Sequence, residues 1–304
     1  MALAGCGGAG SAGGAASAGS VASMVDLHGV TISVGSKEYT EQKVLGSVLV
    51  ESLRAAGATV TDKTGLSGTK LARAALDSGQ IDLYYEYTGT AWLTILGKTQ
   101  PINDPRALLD AVRTADRANN IDWFAVAPLN DTYAIGATAD AAKSTGVTTL
   151  SQYAELATKD PAAAKICSSA EFVTREDGLP GLEKHYGFTL PQSSIFPAES
   201  TVVFEAAAQG ECKFLKLDST DARIVQKGIV VLRDDKAFFP VYNPAVSMRH
   251  GTYAAHTAQY DKLFGAISML LTQDAILELN GAVELKGLPV DKVVHDFLLK
   301  NKII

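Results

Sequence analysis

Asp82-Leu83-Tyr84-Tyr85-Glu86-Tyr87-Thr88-Gly89-Thr90 places three tyrosines within four residues, directly ahead of a Thr-Gly-Thr turn. The segment reads as the end of a strand entering a helix. In open α/β sheets that junction is where ligands bind. Ring faces there attract cations, above all quaternary ammonium groups, which have no N–H to donate. The same residues also fit a plain strand of aromatic β-formers with Tyr87 in the core. Catalytic signatures are missing. There is no G-x-S-x-G, no H-E-x-x-H and no phosphate loop, Gly65-Leu66-Ser67-Gly68-Thr69-Lys70 being too short for one. The histidines at 28, 185, 250, 256 and 295 are scattered, and Asp234-Asp235 reads as a turn. The chemistry suggested is binding, not turnover.

The elements that must position these rings follow from periodicity. Val30 to Gly35 is a strand, and Thr40 is expected to cap a helix with apolar residues at 44, 45, 48, 49 and 53, one face at helical period. Gly57 stops it. Thr59 to Lys63 and Ile81 to Tyr85 are strands around a helix ending at Gly79, so the first third reads β-α-β-α-β. A helix over 104–119 and a strand over 122–126 come next. The alternation repeats between 148 and 232, with helices starting near Ser151, Leu179 and Thr201, and strands at 164–167, 212–215 and 228–232. Beyond Arg249 the pattern is helical. The fold class is α/β, in two units facing a cleft, each expected to be a mostly parallel sheet flanked by helices.

The chain has 304 residues and a net charge of −6, with no basic block, which disfavours nucleic acid. Leu3-Ala4-Gly5-Cys6 has the form of a bacterial lipobox, with Cys6 as the lipidated residue, although the basic and apolar regions of a signal peptide do not precede it. Gly, Ala and Ser dominate the next stretch, so residues 1–25 are expected to be a signal remnant and flexible tether. No run is apolar and long enough to span a bilayer. Cys167 and Cys212 are either two buried thiols or, in an oxidising compartment, a disulfide, which is the preferred reading. No Cys/His spacing suggests zinc, and no cofactor is expected.

Five segments occur in one order: Gly35-Ser36-Lys37-Glu38-Tyr39-Thr40-Glu41-Gln42, Glu86-Tyr87-Thr88-Gly89-Thr90, Asn130-Asp131-Thr132-Tyr133-Ala134, Ser219-Thr220-Asp221-Ala222-Arg223-Ile224 and Asp234-Asp235-Lys236-Ala237-Phe238-Phe239-Pro240. Together they resemble the substrate-binding proteins of osmoprotectant ABC transporters, from about Val30 to the C-terminus. The resemblance implies a two-lobed periplasmic-binding-protein (Venus-flytrap) fold, with lobe I at 26–131 plus 243–304 and lobe II at 132–242. It implies hinge strands near 129–137 and 238–248, and a ligand such as glycine betaine, choline or carnitine in a box of tyrosines. Mapped onto this chain, Tyr87, Tyr133 and Tyr242 are the box walls. Lys37, Thr90 and Arg175 hold a carboxylate, and Asp131 lines the cation side. A permease and its ATPase are the implied partners of a monomer tethered by lipid outside the cytoplasmic membrane.

One position departs from the pattern. A further box tyrosine is usual two residues before the Thr-Asp-x-Arg-Ile segment, and here that residue is Asp218. Asp218 could face a ligand cation and favour choline over betaine. It could accept from a hydroxylated aromatic or sugar-like ligand. It could pair within the protein, for example with Lys37 or Arg175, or it could lie off the pocket. A sensor domain of the same fold is a further reading, disfavoured by the lack of a signalling module.

Overall fold

The computed structural model describes residues 17, 19–100 and 102–304. Two five-stranded sheets organise it. The first contains β1 (Thr31–Lys37), β2 (Thr59–Leu66), β3 (Leu83–Tyr87), β4 (Ile121–Phe124) and a late strand, β10 (Pro244–Arg249), in the order β2-β1-β3-β10-β4. The second contains β5 (Tyr133–Ala137), β6 (Ile166–Ser168), β7 (Ile195–Pro197), β8 (Phe214–Asp218) and β9 (Val230–Val231), in the order β7-β6-β8-β5-β9.

Alternation along β3 explains the tyrosine-rich segment. Leu83, Tyr85 and Tyr87 join the core under the helix Thr40–Ala55, with Val44, Leu45, Val48, Leu49 and Leu53. Tyr84 turns to the opposite face, against Leu76, Leu108 and Val112. A strand covered on both faces is apolar along its whole length rather than alternating. The C-terminal helices Gln273–Glu284 and Val290–Lys300 pack into the same core through Ile276, Val294 and Leu298. In the second sheet Ile135, Ile166 and Phe214 face one core, and Cys167, Leu215 and Leu217 face another. The Cys167 and Cys212 sulfurs are bonded, joining β6 to the segment that leads into β8.

Each sheet is mostly parallel, as expected, with four strands in one direction and a single strand against them. β1 pairs in parallel with β2 and β3, but β10 runs antiparallel between β3 and β4, and β5 runs antiparallel to β8 and β9. β5 and β10 are the first strands after the two crossings, and each is the one strand antiparallel to both of its neighbours. Two element boundaries differ from expectation. Tyr39, with extended backbone, is the N-cap of the first helix, and Thr40 is its first residue. β8 starts at Phe214, two residues beyond Cys212.

The expected tether ends sooner than residue 25. Val21 and Ala22 donate backbone hydrogen bonds to Lys302 and Ile303, and Ala22 and Val25 are buried. Val21, Ala22 and Val25 offer apolar groups that the Gly/Ser tract lacks, which accounts for the docking. Cys6 lies outside the described residues.

Candidate functional site

The two crossings between the sheets run side by side. Asp131 N–H donates to the Tyr242 carbonyl at 3.0 Å, Tyr242 N–H to Asn130 Oδ1 at 2.7 Å, and Asn243 Nδ2 to the Leu129 carbonyl at 2.6 Å. These bonds fix Asp131 and Tyr242 at the floor of a cleft. Lys37 is the last residue of β1, Tyr87 the last of β3, Tyr133 the first of β5 and Asp218 the last of β8. Strand ends therefore deliver four of the eight candidate residues to one crevice. Thr90 closes the single helical turn after β3, and Arg175 caps the short helix Ala170–Thr174.

All eight lie in one connected network. Lys37 Nζ donates to Glu86 at 2.8 Å and Thr69 at 3.3 Å, and sits 5.1 Å from the Tyr87 ring centre. Thr69 and Thr90 hydroxyls lie 3.5 and 3.3 Å from the Arg175 guanidinium, which approaches the Tyr133 ring at 5.3 Å. Tyr133 and Tyr242 are 5.3 Å apart, centre to centre. Tyr242 donates its phenol proton to Asp177 at 2.8 Å, and Asp177 is the carboxylate paired with Arg175. Asp131 accepts from Thr220 at 2.8 Å. Asp218 accepts from Lys216 at 2.5 Å, so its partner is a residue two earlier on the same strand, not Lys37 or Arg175.

Sequence reasoning missed several side chains of this cleft. Tyr39 and Glu41 line a small cavity of about 20 Å³ together with Asp131, Asp218, Thr220 and Asn280. Tyr87 O–H donates to Glu41 at 2.7 Å, and Asn280 Nδ2 donates to the other Glu41 oxygen at 3.1 Å. Both residues sit in or beside a motif already in view, Glu41 one residue past Thr40 and Tyr39 one before it. Asp177 follows Arg175 by two, and Lys216 precedes Asp218 by two. An i, i+2 charge pair on a strand shares a face, and that signal was there to read for Lys216.

The charges are unevenly matched. Each cation has its own carboxylate: Lys37 with Glu86, Arg175 with Asp177, and Lys216 with Asp218. Glu41 and Asp131 have hydrogen-bond donors but no cation within salt-bridge distance among the described residues. Burial raises both carboxyls. Asp131 lies well above its usual range because desolvation is reinforced by the charges of Glu41 and Asp218. Burial opposes ionisation of Asp177 too, but the Arg175 guanidinium and the Tyr242 phenol more than offset it and hold that carboxyl below its usual range. The cleft thus offers ring faces and two buried carboxyls, Glu41 and Asp131, with no cation paired to either among the described residues.

The model of the substrate-binding domain of ABC-type glycine betaine transport systems matches residues 30–300. The chain belongs to this family. The glycine-betaine-binding protein of Pseudomonas aeruginosa is 29% identical to it over 279 residues, covering 90% of this chain and 89% of that protein. The glycine betaine-binding protein YehZ of Escherichia coli is 28% identical over 274 residues, covering 88% of this chain and 89% of its own length. The solved structure of apo YehZ aligns with a TM-score of 0.63 at 27% identity, covering 90% of this chain and 99% of that one. As a substrate-binding domain of an ABC transporter, the chain is a carrier of solute and not an enzyme. No helix among the described residues is long and apolar enough to cross a membrane.

Proposed function

We propose that this protein captures a quaternary-ammonium solute, such as glycine betaine or choline, between its two lobes and presents it to an ABC permease. The observation that carries the reading is the meeting of Tyr87, Tyr133 and Tyr242 beside Glu41 and Asp131, two buried carboxyls without a cationic partner among the described residues. A trimethylammonium group is held by ring faces at about 0.5–2 kcal/mol each, more when desolvated, and by nearby negative charge. The names of the Pseudomonas aeruginosa and Escherichia coli relatives support glycine betaine as one candidate.

In this reading Tyr87, Tyr133 and Tyr242 wall the cation site and Asp131 lines it. Lys37, Thr90 and Arg175 receive the carboxylate of a zwitterionic solute. The lobes divide at 131/132 and 242/243. Contacts such as Arg175 to Thr90 and Glu171 to the Thr69 N–H join residues attached to different sheets, so a solute touching both lobes favours the closed form. The Cys6 lipobox and the Cys167–Cys212 bond fit a monomer lipid-tethered on the outer face of the cytoplasmic membrane. Calorimetric titration with glycine betaine, choline and carnitine tests the function. Saturable binding of at least one is expected, and no binding of any overturns it.

A further inference from the structure

The ammonium of Lys216 stands 4.3 Å from the centre of the Tyr133 ring and 2.5 Å from Asp218 Oδ1, and the side chain is buried. No other cation described here comes so close to a ring centre. β8 explains the placement. Phe214, Lys216 and Asp218 alternate onto one face, Phe214 reaching the core and Asp218 the cleft. Across the ladder Asp218 pairs with Tyr133 and Lys216 with Ile135, so the lysine stem runs over apolar surface and its head lands on the tyrosine. Lys37 and Arg175 are each fixed by several partners, Lys37 by Glu86 and Thr69, and Arg175 by Asp177, Glu171 and Thr90. Among the described residues Lys216 has one hydrogen-bonded partner, Asp218, and the ring.

We propose that Lys216 is a resident cation of the aromatic box: its ammonium occupies the Tyr133 ring and the Asp218 carboxylate, and a quaternary-ammonium solute must displace it to use either. The inference rests on the proposed function, and it makes Lys216 a residue that sets affinity without belonging to the tyrosine box. It also reassigns Asp218. With a lysine already on it, the carboxylate adds no uncompensated charge to the cleft, and the carboxyls left for the solute are Glu41 and Asp131.

The test is calorimetric titration of choline and glycine betaine into wild type, Lys216→Met, Lys216→Arg and the double variant Lys216→Met/Asp218→Asn. Freeing one ring face is worth about two- to thirty-fold in affinity. Lys216→Met should therefore bind the solute about two- to thirty-fold tighter. The double variant, which lacks the freed carboxylate, should keep the ring-face part of that gain, and Lys216→Arg, which retains the charge, should stay near wild type. Binding by wild type with no gain in Lys216→Met overturns the inference and leaves the proposed function standing. No binding by any of the four proteins defeats the proposed function, and the inference with it.

Lys216→Gln replaces Lys216→Met if the latter does not fold, with the same expected gain. A measurement on the unaltered protein guards against folding effects. With ¹³C-labelled lysine, the Lys216 side-chain protons should resonate upfield under the Tyr133 ring current and return downfield as choline saturates the site. An unshifted resonance, or one that choline leaves in place, overturns displacement.

Discussion

Arg175 Nη2 lies 3.3 Å from the Thr90 hydroxyl, bridging the second lobe to the turn after β3 in the first. The same guanidinium holds Asp177, which also accepts from the phenol of Tyr242 at the hinge and from the Thr94 hydroxyl. One side chain thus links the proposed carboxylate site, the proposed tyrosine box and the interlobe contact.

Arg175→Met should remove all three links. Asp177 would be left buried without its cation, and breaking a buried pair on one side costs about 3–5 kcal/mol. The melting temperature should fall accordingly. Glycine betaine, which carries a carboxylate, should lose more affinity than choline, which does not. Thermal denaturation and parallel titrations check both expectations. Equal losses for the two solutes would remove Arg175 from the carboxylate role.

Gly89 is required for close approach rather than for unusual backbone geometry. A Cβ there would meet the Val241 carbonyl oxygen at 2.6 Å and the Tyr242 ring at 2.8 Å. Gly89→Ala should cost about 1–3 kcal/mol through overpacking. It should also weaken solute binding by pushing Tyr242 out of the box. Denaturant unfolding and titration together separate the two effects.

The sequence carried most of the architecture and part of the site. Helical spacing at 44, 45, 48, 49 and 53 matches the buried face of the helix Thr40–Ala55, because an amphipathic surface helix writes its packing into its period. The antiparallel direction of β5 and β10 was not legible, since each is the first strand after the chain crosses between the sheets and nothing local sets its direction. The candidate residues were found through motifs, and the structure brings all eight together. Their protein partners were harder to see. Glu41 and Asn280 meet across 239 residues of chain, and nothing local to either foretells the contact. Lys216 was legible as a neighbour of Asp218, but its seat on Tyr133 depends on the β5–β8 register.

The Cys167–Cys212 bond closes a loop of 45 residues around the second sheet. Chain-entropy arguments put such a cross-link at about 2–4 kcal/mol. Reduction, or the double change Cys167→Ala/Cys212→Ala, should lower the melting temperature while solute affinity at low temperature stays close to wild type. Both sulfurs lie away from the cleft, in the core behind β6 and β8. A large loss of affinity in a folded double variant would contradict that separation.

Glu284 gives a pH signature. Burial and the charge of Asp221 push its carboxyl up to about 7, with Arg223 and Thr40 only partly offsetting them. The folded state therefore holds this proton more tightly than the unfolded chain, whose group titrates near 4.5. Stability from this group is full below about pH 4.5 and is lost as pH rises through about 7. Allowing for its partial exposure, the loss is about 1–2 kcal/mol. Glu284→Gln should remove that part of the pH dependence, visible in melting temperatures taken across this range.

Cation binding should itself respond to pH in the opposite sense. Asp131 and Glu41 have raised carboxyl pKa values, so each gains its charge only above the ordinary carboxylate range. Choline affinity should climb as pH rises through that interval, and Asp131→Asn should flatten the climb. Titrations at stepped pH values read this directly.

The most direct measurement compares choline with 3,3-dimethylbutan-1-ol, which has the same shape with a carbon in place of the charged nitrogen. If ring faces and the Glu41 and Asp131 carboxyls recognise a cation, choline should bind about tenfold or more tighter, equivalent to at least ~1.4 kcal/mol. Equal affinity for the two would show that the cleft selects shape alone and would contradict the account.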